Sequence, residues 1–212
     1  MPFAKTTHAV CESCYKVLPW VGIDDQRLDI LSAFYYDSPL DQLILTGKQT
    51  QRLDRLQLLA ELITPYFLNQ LQTRQKPQAI LPVPLHINRL RQRGFNQALE
   101  LTRHLAKSLN IPILKQAVSR QRHTREQKYL AANQRTTNLK DAFILNHPLP
   151  YTHIAIFDDV VTTGATTQIL SHLLLKAGVK TVEIWSVAKT KQWHNVANPV
   201  AIEYDTSSID ED

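Results

Sequence analysis

The chain has 212 residues, enough for one domain of ordinary size with a short appendage and too few for two full domains. Apolar residues make up 43% and charged residues 20%, near the globular average, and the longest charge-free run, Val160 to Leu175, is interrupted by Thr, Gly, Gln, Ser and His, so no membrane span is expected. The formal net charge is +5, unevenly spread: residues 200–212 hold five acids and no base, while Arg74 to Lys140 holds fourteen Lys or Arg against only Glu100 and Glu126. A basic run of that density either attracts a phosphate-bearing ligand or nucleic acid or is a solvated helix face.

The first ten residues contain no apolar run of the signal-peptide kind, and the two cysteines are Cys11 and Cys14. This reads as a cytoplasmic protein without a disulfide framework. Five glycines leave no G-x-G-x-x-G, no phosphate-binding G-x-x-x-x-G-K and no G-x-S-x-G, which removes three common nucleotide-binding and hydrolase classes.

In chain order, Leu31 to Tyr35 reads as a strand and a helix begins at Ser38. Gln51 to Gln72 carries helical spacing with a kink expected at Pro65. Ala79 to Val83 reads as a buried strand and Gly94 to Leu109 as a helix. Ile111 to Val118 and Ala142 to Leu145 are shorter strand candidates, separated by a Gln- and Arg-rich stretch from Ser119 to Lys140. Ile154 to Phe157 is fully apolar, Thr163 to Ala177 is helical and closed by Gly178, and Val182 to Ala188 is a further strand. Apolar strands alternating with helices predict an α/β domain with a mainly parallel sheet. The organisation expected is an N-terminal segment at 1–23, the α/β domain at 24–190 and an acidic, disordered tail at 191–212.

The run from Ile154 to Thr166 carries the chemistry. A buried strand is expected to end in Asp158 and Asp159, after which the chain turns through Thr162, Thr163 and Gly164 into a helix. Free backbone N–H groups at such a turn converge on an anion, with the threonine hydroxyls as added donors. Carboxylates beside that nest repel a second phosphate; they suit sugar hydroxyls or a divalent cation held through water. A phosphate nest beside a hydroxyl-accepting pair describes a receptor for a ribose 5-phosphate.

Four apolar residues, two acids and T-T-G-x-T resemble the phosphoribosyl pyrophosphate (PRPP) motif of type I phosphoribosyltransferases. Upstream, Leu81 to Gln97, read as LPVPLHINRLRQRGFNQ, resembles the PVPLH…RGFNQ block of the ComF family, and Arg120, Thr124, Gln127, Leu130, Arg135, Asn138 and Phe143 match that family's downstream pattern. With Tyr36 and Lys48, the likeness covers about residues 11 to 190. It implies a type I phosphoribosyltransferase fold with a mobile hood, PRPP as substrate or ligand, Mg²⁺, and a role in natural transformation through handling of single-stranded DNA, with other competence proteins as further partners. Asp158, Asp159, Arg89 and Arg93 are the implied catalytic residues. Lys48, Asp158, Asp159, Val161, Thr162, Thr163, Gly164, Ala165 and Thr166 are the implied PRPP site. Arg120, Arg122, Arg125, Gln127, Lys128 and Arg135 are assigned to the hood or to DNA. Two alternatives stay open: a PRPP-regulated binding module without turnover, and a base-salvage enzyme.

The family's N-terminus carries two C-x-x-C pairs in a zinc ribbon, whereas Cys11 and Cys14 form one pair, with His8 as the only other nearby candidate ligand. A truncated remnant that binds zinc and a pair of free thiols are both compatible with that pattern.

Overall fold

A computed structural model describes residues 10–22, 30–48, 53–121 and 142–191. Its centre is a four-stranded sheet in the order β1, β6, β5, β2, parallel throughout, formed by Ile30–Tyr35 (β1), Ala79–Pro82 (β2), His153–Val161 (β5) and Thr181–Lys189 (β6). Val118–Arg120 (β3) and Phe143–Leu145 (β4) pair separately as an antiparallel ribbon. The helices are α1 (Glu12–Lys16), α2 (Leu40–Thr46), α3 (Leu53–Gln70), α4 (Ile87–Arg93), α5 (Gln97–Leu109) and α6 (Ala165–Lys176).

Strand β5 is apolar on both sides because both sides are covered. Ala155 and Phe157 join a core with Leu59, Phe67, Leu101 and Trp185 beneath α3 and α5. Ile154 and Ile156 face the opposite layer, with Leu170 and Leu174 of α6 and with Val118 and Phe143 of the ribbon. A parallel sheet covered on both faces requires such a run, so its reading as strand rests on sound physics.

Both sheet edges are blunted. Trp20 bridges antiparallel to Phe34, Tyr35 N–H donates to the Pro19 carbonyl at 2.7 Å, and the Trp20 ring lies 4.3 Å from that of Phe34. Beside β2, Ile80 N–H donates to Pro112 O and Leu114 N–H to Ile80 O. Unpaired edges invite pairing with other chains, and these short bridges occupy them. At the amino ends of β5 and β6, a buried polar group locks the two strands: His153 Nε2 is 2.7 Å from Glu183 Oε1, and Trp185 Nε1 donates to Glu183 Oε2 at 2.8 Å.

Helix α3 contains Pro65, which offers no N–H to the preceding turn. Several other local expectations are corrected. Ile111 to Val118 is not one strand: Ile113 makes a single bridge to Ile80, and β3 starts only at Val118. Gly94 does not open the long helix. It closes α4 in the left-handed conformation, φ 79°, with its N–H on Leu90 O. Helix α5 starts after Asn96, whose Oδ1 accepts from Leu99 N–H while its Nδ2 donates to Val83 O at 3.0 Å. Asn96 therefore caps α5 and fastens it to the end of β2.

That double role sets a prediction. Asn96→Ala removes a cap and a strand-end hydrogen bond, and should lower the unfolding free energy by about 1–3 kcal/mol. Asn96→Asp keeps the cap acceptor and loses only the amide donor, so chemical denaturation should place it between the wild type and the alanine variant.

Candidate functional site

The site is built where β5 leaves the covered part of the sheet. Asp158 and Asp159 lie within β5 rather than beyond its end, because β6 continues beside them: Asp158 is opposite Ser186, Val160 opposite Ala188 and Val161 opposite Lys189. The strand thus runs on to Val161 instead of ending at the two acids, and both carboxylates are half-buried. Asp159 N–H donates to Asp158 Oδ1 at 2.9 Å, so the pair is also tied along the backbone.

Electrostatics at the pair are unbalanced. Burial, followed by the charge and hydrogen bond of Asp159, holds the Asp158 carboxyl well above the ordinary aspartate value of 3.8, against a smaller pull from Lys48. Lys48, just after α2, places Nζ 3.0 Å from Asp159 Oδ2, with the two side chains 29% and 17% exposed. The lysine thus offsets one carboxylate and leaves the other to bear the repulsion.

Beyond Val161 the chain turns through Thr162, Thr163 and Gly164 into α6. Gly164 has φ 71°, a conformation that L side chains rarely adopt, which explains glycine at this point. A hollow of about 50 Å³ is lined by residues 160–167 and Asp158. The turn is held from behind: Thr167 Oγ1 donates to Gly164 O at 2.9 Å, Thr190 N–H to Val161 O and Thr190 Oγ1 to Thr162 O. The first N–H groups of α6 face the hollow without helical partners, and the hydroxyls of Thr162, Thr163 and Thr166 make no hydrogen bond among the described residues. Val161 lines the hollow, but it is itself buried beside Ile30 and Ile184. Thr167 and Thr190 were not singled out in the sequence. Thr167 lies one residue past the motif, and Thr190 follows β6, 28 residues from Thr162, which no local pattern reveals.

Opposite the acids stands the basic group. Strand β2 pairs with β5 in the register Pro82 to Phe157, and Val83 N–H donates to Phe157 O, so α4 begins beside the acid pair. Arg89 and Arg93, one turn apart on α4, are half-buried, whereas Arg91 is exposed. Arg120, at the end of β3, stacks over the Phe143 ring at 5.4 Å. Burial and the charge of Arg89 depress its pKa while Asp158 raises it, so Arg89, Arg120 and Asp158 share one field. Of the remaining residues assigned to hood or DNA, Arg122, Arg125, Gln127, Lys128 and Arg135 lie outside the described residues.

The N-terminal pair makes no metal centre here. Cys11 and Cys14 are exposed free thiols at the start of α1, where Cys14 N–H donates to Cys11 Sγ at 3.4 Å. Among the described residues no group of three or more His, Cys, Asp or Glu converges, and His8 lies outside them, so a four-ligand zinc set is not assembled. No described helix is long and apolar enough to cross a membrane.

No protein-family model matches the chain. It is 39% identical over 168 residues to competence protein F of Haemophilus influenzae, a match spanning 77% of the chain and 66% of that relative. It is 37% identical over 190 residues to DNA utilization protein YhgH of Shigella flexneri, spanning 88% of the chain and 81% of the relative. Among solved structures, adenine phosphoribosyltransferase from Trypanosoma brucei in complex with AMP, pyrophosphate and ribose-5-phosphate overlaps at a TM-score of 0.47 with 13% identity, covering 86% of the chain and 81% of that one. The Saccharomyces cerevisiae adenine enzyme gives 0.40 and 14%, over 65% and 71%. Overlaps at that level carry no statement about ligands.

The raised Asp158 carboxyl gives a pH-dependent prediction. An acid whose folded pKa is elevated keeps its proton longer in the folded state, so stability falls as pH rises from the ordinary aspartate value through the folded one. Asp158→Asn should therefore raise the thermal midpoint at pH 7 and leave it unchanged below the ordinary aspartate value of 3.8, where the acid is protonated in both states. Scanning calorimetry across that range checks it, and a lower midpoint at pH 7 would show that Asp158 is a structural anchor.

Proposed function

The chain belongs to the ComF family with competence protein F and YhgH, and from that membership together with the site geometry we propose that it binds PRPP and transfers its phosphoribosyl group to an acceptor nucleophile that bonds to C1 as pyrophosphate leaves, acting in DNA utilization during competence. One observation carries the reading: a phosphate-sized hollow at an uncapped helix start shares its rim with two half-buried carboxylates. The 5-phosphate occupies the hollow at Thr162, Thr163, Gly164, Ala165 and Thr166. Asp158 and Asp159 accept from the 2- and 3-hydroxyls of the ribose.

The carboxylate pair also fits Mg²⁺, since hard oxygen donors suit that cation and two adjacent half-buried carboxylates carry negative charge that a cation would offset. When bound, Mg²⁺ neutralises pyrophosphate oxygens. The protein's own groups do the rest by position and charge. Arg89, Arg93 and Arg120 face the leaving pyrophosphate as the C1–O bond lengthens and the sugar becomes cationic, and the carboxylates stabilise that cation. Lys48 pairs with Asp159 and orients its carboxylate. No proton need move in this step, so the elevated pKa of Asp158 acts on ligand binding rather than on bond cleavage.

A second reading, a PRPP-switched binding module in the cytoplasm, is favoured by the fourteen basic residues of Arg74 to Lys140. Pyrophosphate release separates the two. Calorimetry should show Mg²⁺-dependent PRPP binding, absent with ATP or NAD and abolished in the folded Asp158→Asn, Asp159→Asn double variant. Stabilisation by ATP equal to that by PRPP would defeat the ribose-phosphate assignment, and PRPP binding without pyrophosphate release in the presence of acceptor DNA would select the module.

A further inference from the structure

Free cysteine is among the most buried residue types, and Ser, Thr, Asp or Asn caps a helix better than it does. Yet Cys11 is the N-cap of α1, Cys14 stands three residues on, and both are exposed free thiols. Packing does not explain them, since α1 buries no residue. The turn that carries them is nevertheless anchored. Tyr15 N–H donates to Cys11 O at 2.9 Å, and Trp20 Nε1 donates to Tyr15 O at 3.2 Å. The rings of Tyr15 and Trp20 lie 4.9 Å apart, and that of Trp20 packs in turn on Phe34 of β1. Hydrogen bonds and stacked rings thus hold the backbone of the pair at the sheet edge and leave its thiols open to solvent.

Within the turn the two residues are unequal. Cys14 N–H donates to Cys11 Sγ at 3.4 Å, and this bond, followed by one from the Cys14 thiol, holds Cys11 below the ordinary thiol value. The same bond between the thiols, followed by the charge of Cys11, pushes Cys14 up. Thiols that hydrogen-bond to one another are already adjacent, so an S–S bond between them asks for little movement of the chain. Zinc accounts for the pair poorly: two thiolates are half of a tetrahedral set, and no group of three or more His, Cys, Asp or Glu converges among the described residues.

We infer that Cys11 and Cys14 form a thiol–disulfide exchange site whose substrate is a small-molecule disulfide, with Cys11 attacking and Cys14 resolving. The Cys11 thiolate, its proton given to solvent, bonds to one sulfur of the small disulfide, whose S–S bond breaks, and one thiolate departs and takes up a proton. Cys14, deprotonated in turn, bonds to Cys11 Sγ, the mixed disulfide breaks and the second thiolate departs. Two electrons pass from the cysteine pair to the small disulfide, which leaves as two thiols, and the protein loses two hydrogens. Excess small thiol runs the same steps backwards. The inference stands apart from the function proposed above, because neither cysteine lines the hollow between Asp158 and Thr167.

The test uses the full chain and oxidised glutathione at graded ratios to its reduced form, read by intact mass and thiol titration. The wild type should lose the mass of two hydrogens and both thiols while retaining no glutathione, and excess reduced glutathione should reverse the change. Cys14→Ser should accumulate one glutathione on Cys11, whereas Cys11→Ser, in which serine keeps a capping oxygen, should react about tenfold more slowly than Cys14→Ser. The wild-type mass decides the outcome even where a variant fails to fold. A wild type that keeps glutathione on one cysteine, or that joins two copies through a disulfide on a non-reducing gel, would overturn the exchange site. So would one zinc ion per chain retained through gel filtration and masking both thiols until a chelator is added. Equal rates in the two single variants would overturn the division of roles between Cys11 and Cys14.

Discussion

The pairing of β2 with β5 is the constraint on which the functional end depends. Four consecutive residues, Ala79 to Pro82, lie in parallel register with Ile154 to Phe157, and Val83 N–H adds one more bond to Phe157 O. Since side chains alternate along a strand, a slip by one residue would exchange the two faces of β5, sending Ile154 and Ile156 toward α3 and α5 and Phe157 toward α6. It would also move the arginines of α4 relative to Asp158. Hydrophobic burial on both faces therefore fixes a polar geometry to which it contributes no contact. Asn96 extends that register to α5 through its bond to Val83 O.

At the site itself the local energetics run against folding. Two carboxylates adjacent in a half-buried strand repel, and burial together with that repulsion holds the Asp158 carboxyl above its ordinary value. Lys48 offsets Asp159 from one side, and Arg120 with Arg89 contributes positive potential from the other, though the two arginines disfavour one another. A surface optimised for stability would have replaced one acid or added a direct ion pair to Asp158. Charge clusters of this kind persist where a ligand completes the balance, which is why local consistency fails here and holds in the core.

Much of the framework was legible because it is local or dictated by burial. Apolar runs marked β2, β5 and β6, helical spacing marked α3 and α5, and the turn around Gly164 followed from its residues. What escaped was decided at a distance. The strand was expected to end at Asp158 and Asp159, since charge normally ends a buried run, yet β6 supplies ladder partners as far as Lys189. Gly94 was assigned to the wrong helix because a left-handed closing residue and a helix start look alike when only one residue, Phe95, separates Gly94 from the cap at Asn96. The meeting of Arg89 with Arg120, and the buried His153 to Glu183 pair, join positions 31 and 30 residues apart, and neither has a sequence pattern of its own.

The two ends of β5 divide the work between them. At the amino end, Glu183 accepts from Trp185 Nε1 and meets His153 Nε2, while Gln78 Oε1 accepts from the backbone of Thr152 and His153 at 2.8 and 3.1 Å. Buried polar groups with satisfied partners specify register more sharply than apolar contacts, because a shifted strand leaves them unpaired. With register secured there, the carboxyl end is free to carry groups chosen for charge rather than packing. The same strand that begins with the His153, Glu183 and Trp185 hydrogen bonds thus ends in two acids beside an open helix start, and the ribbon of β3 and β4 can bring Arg120 to them without taking part in the main sheet.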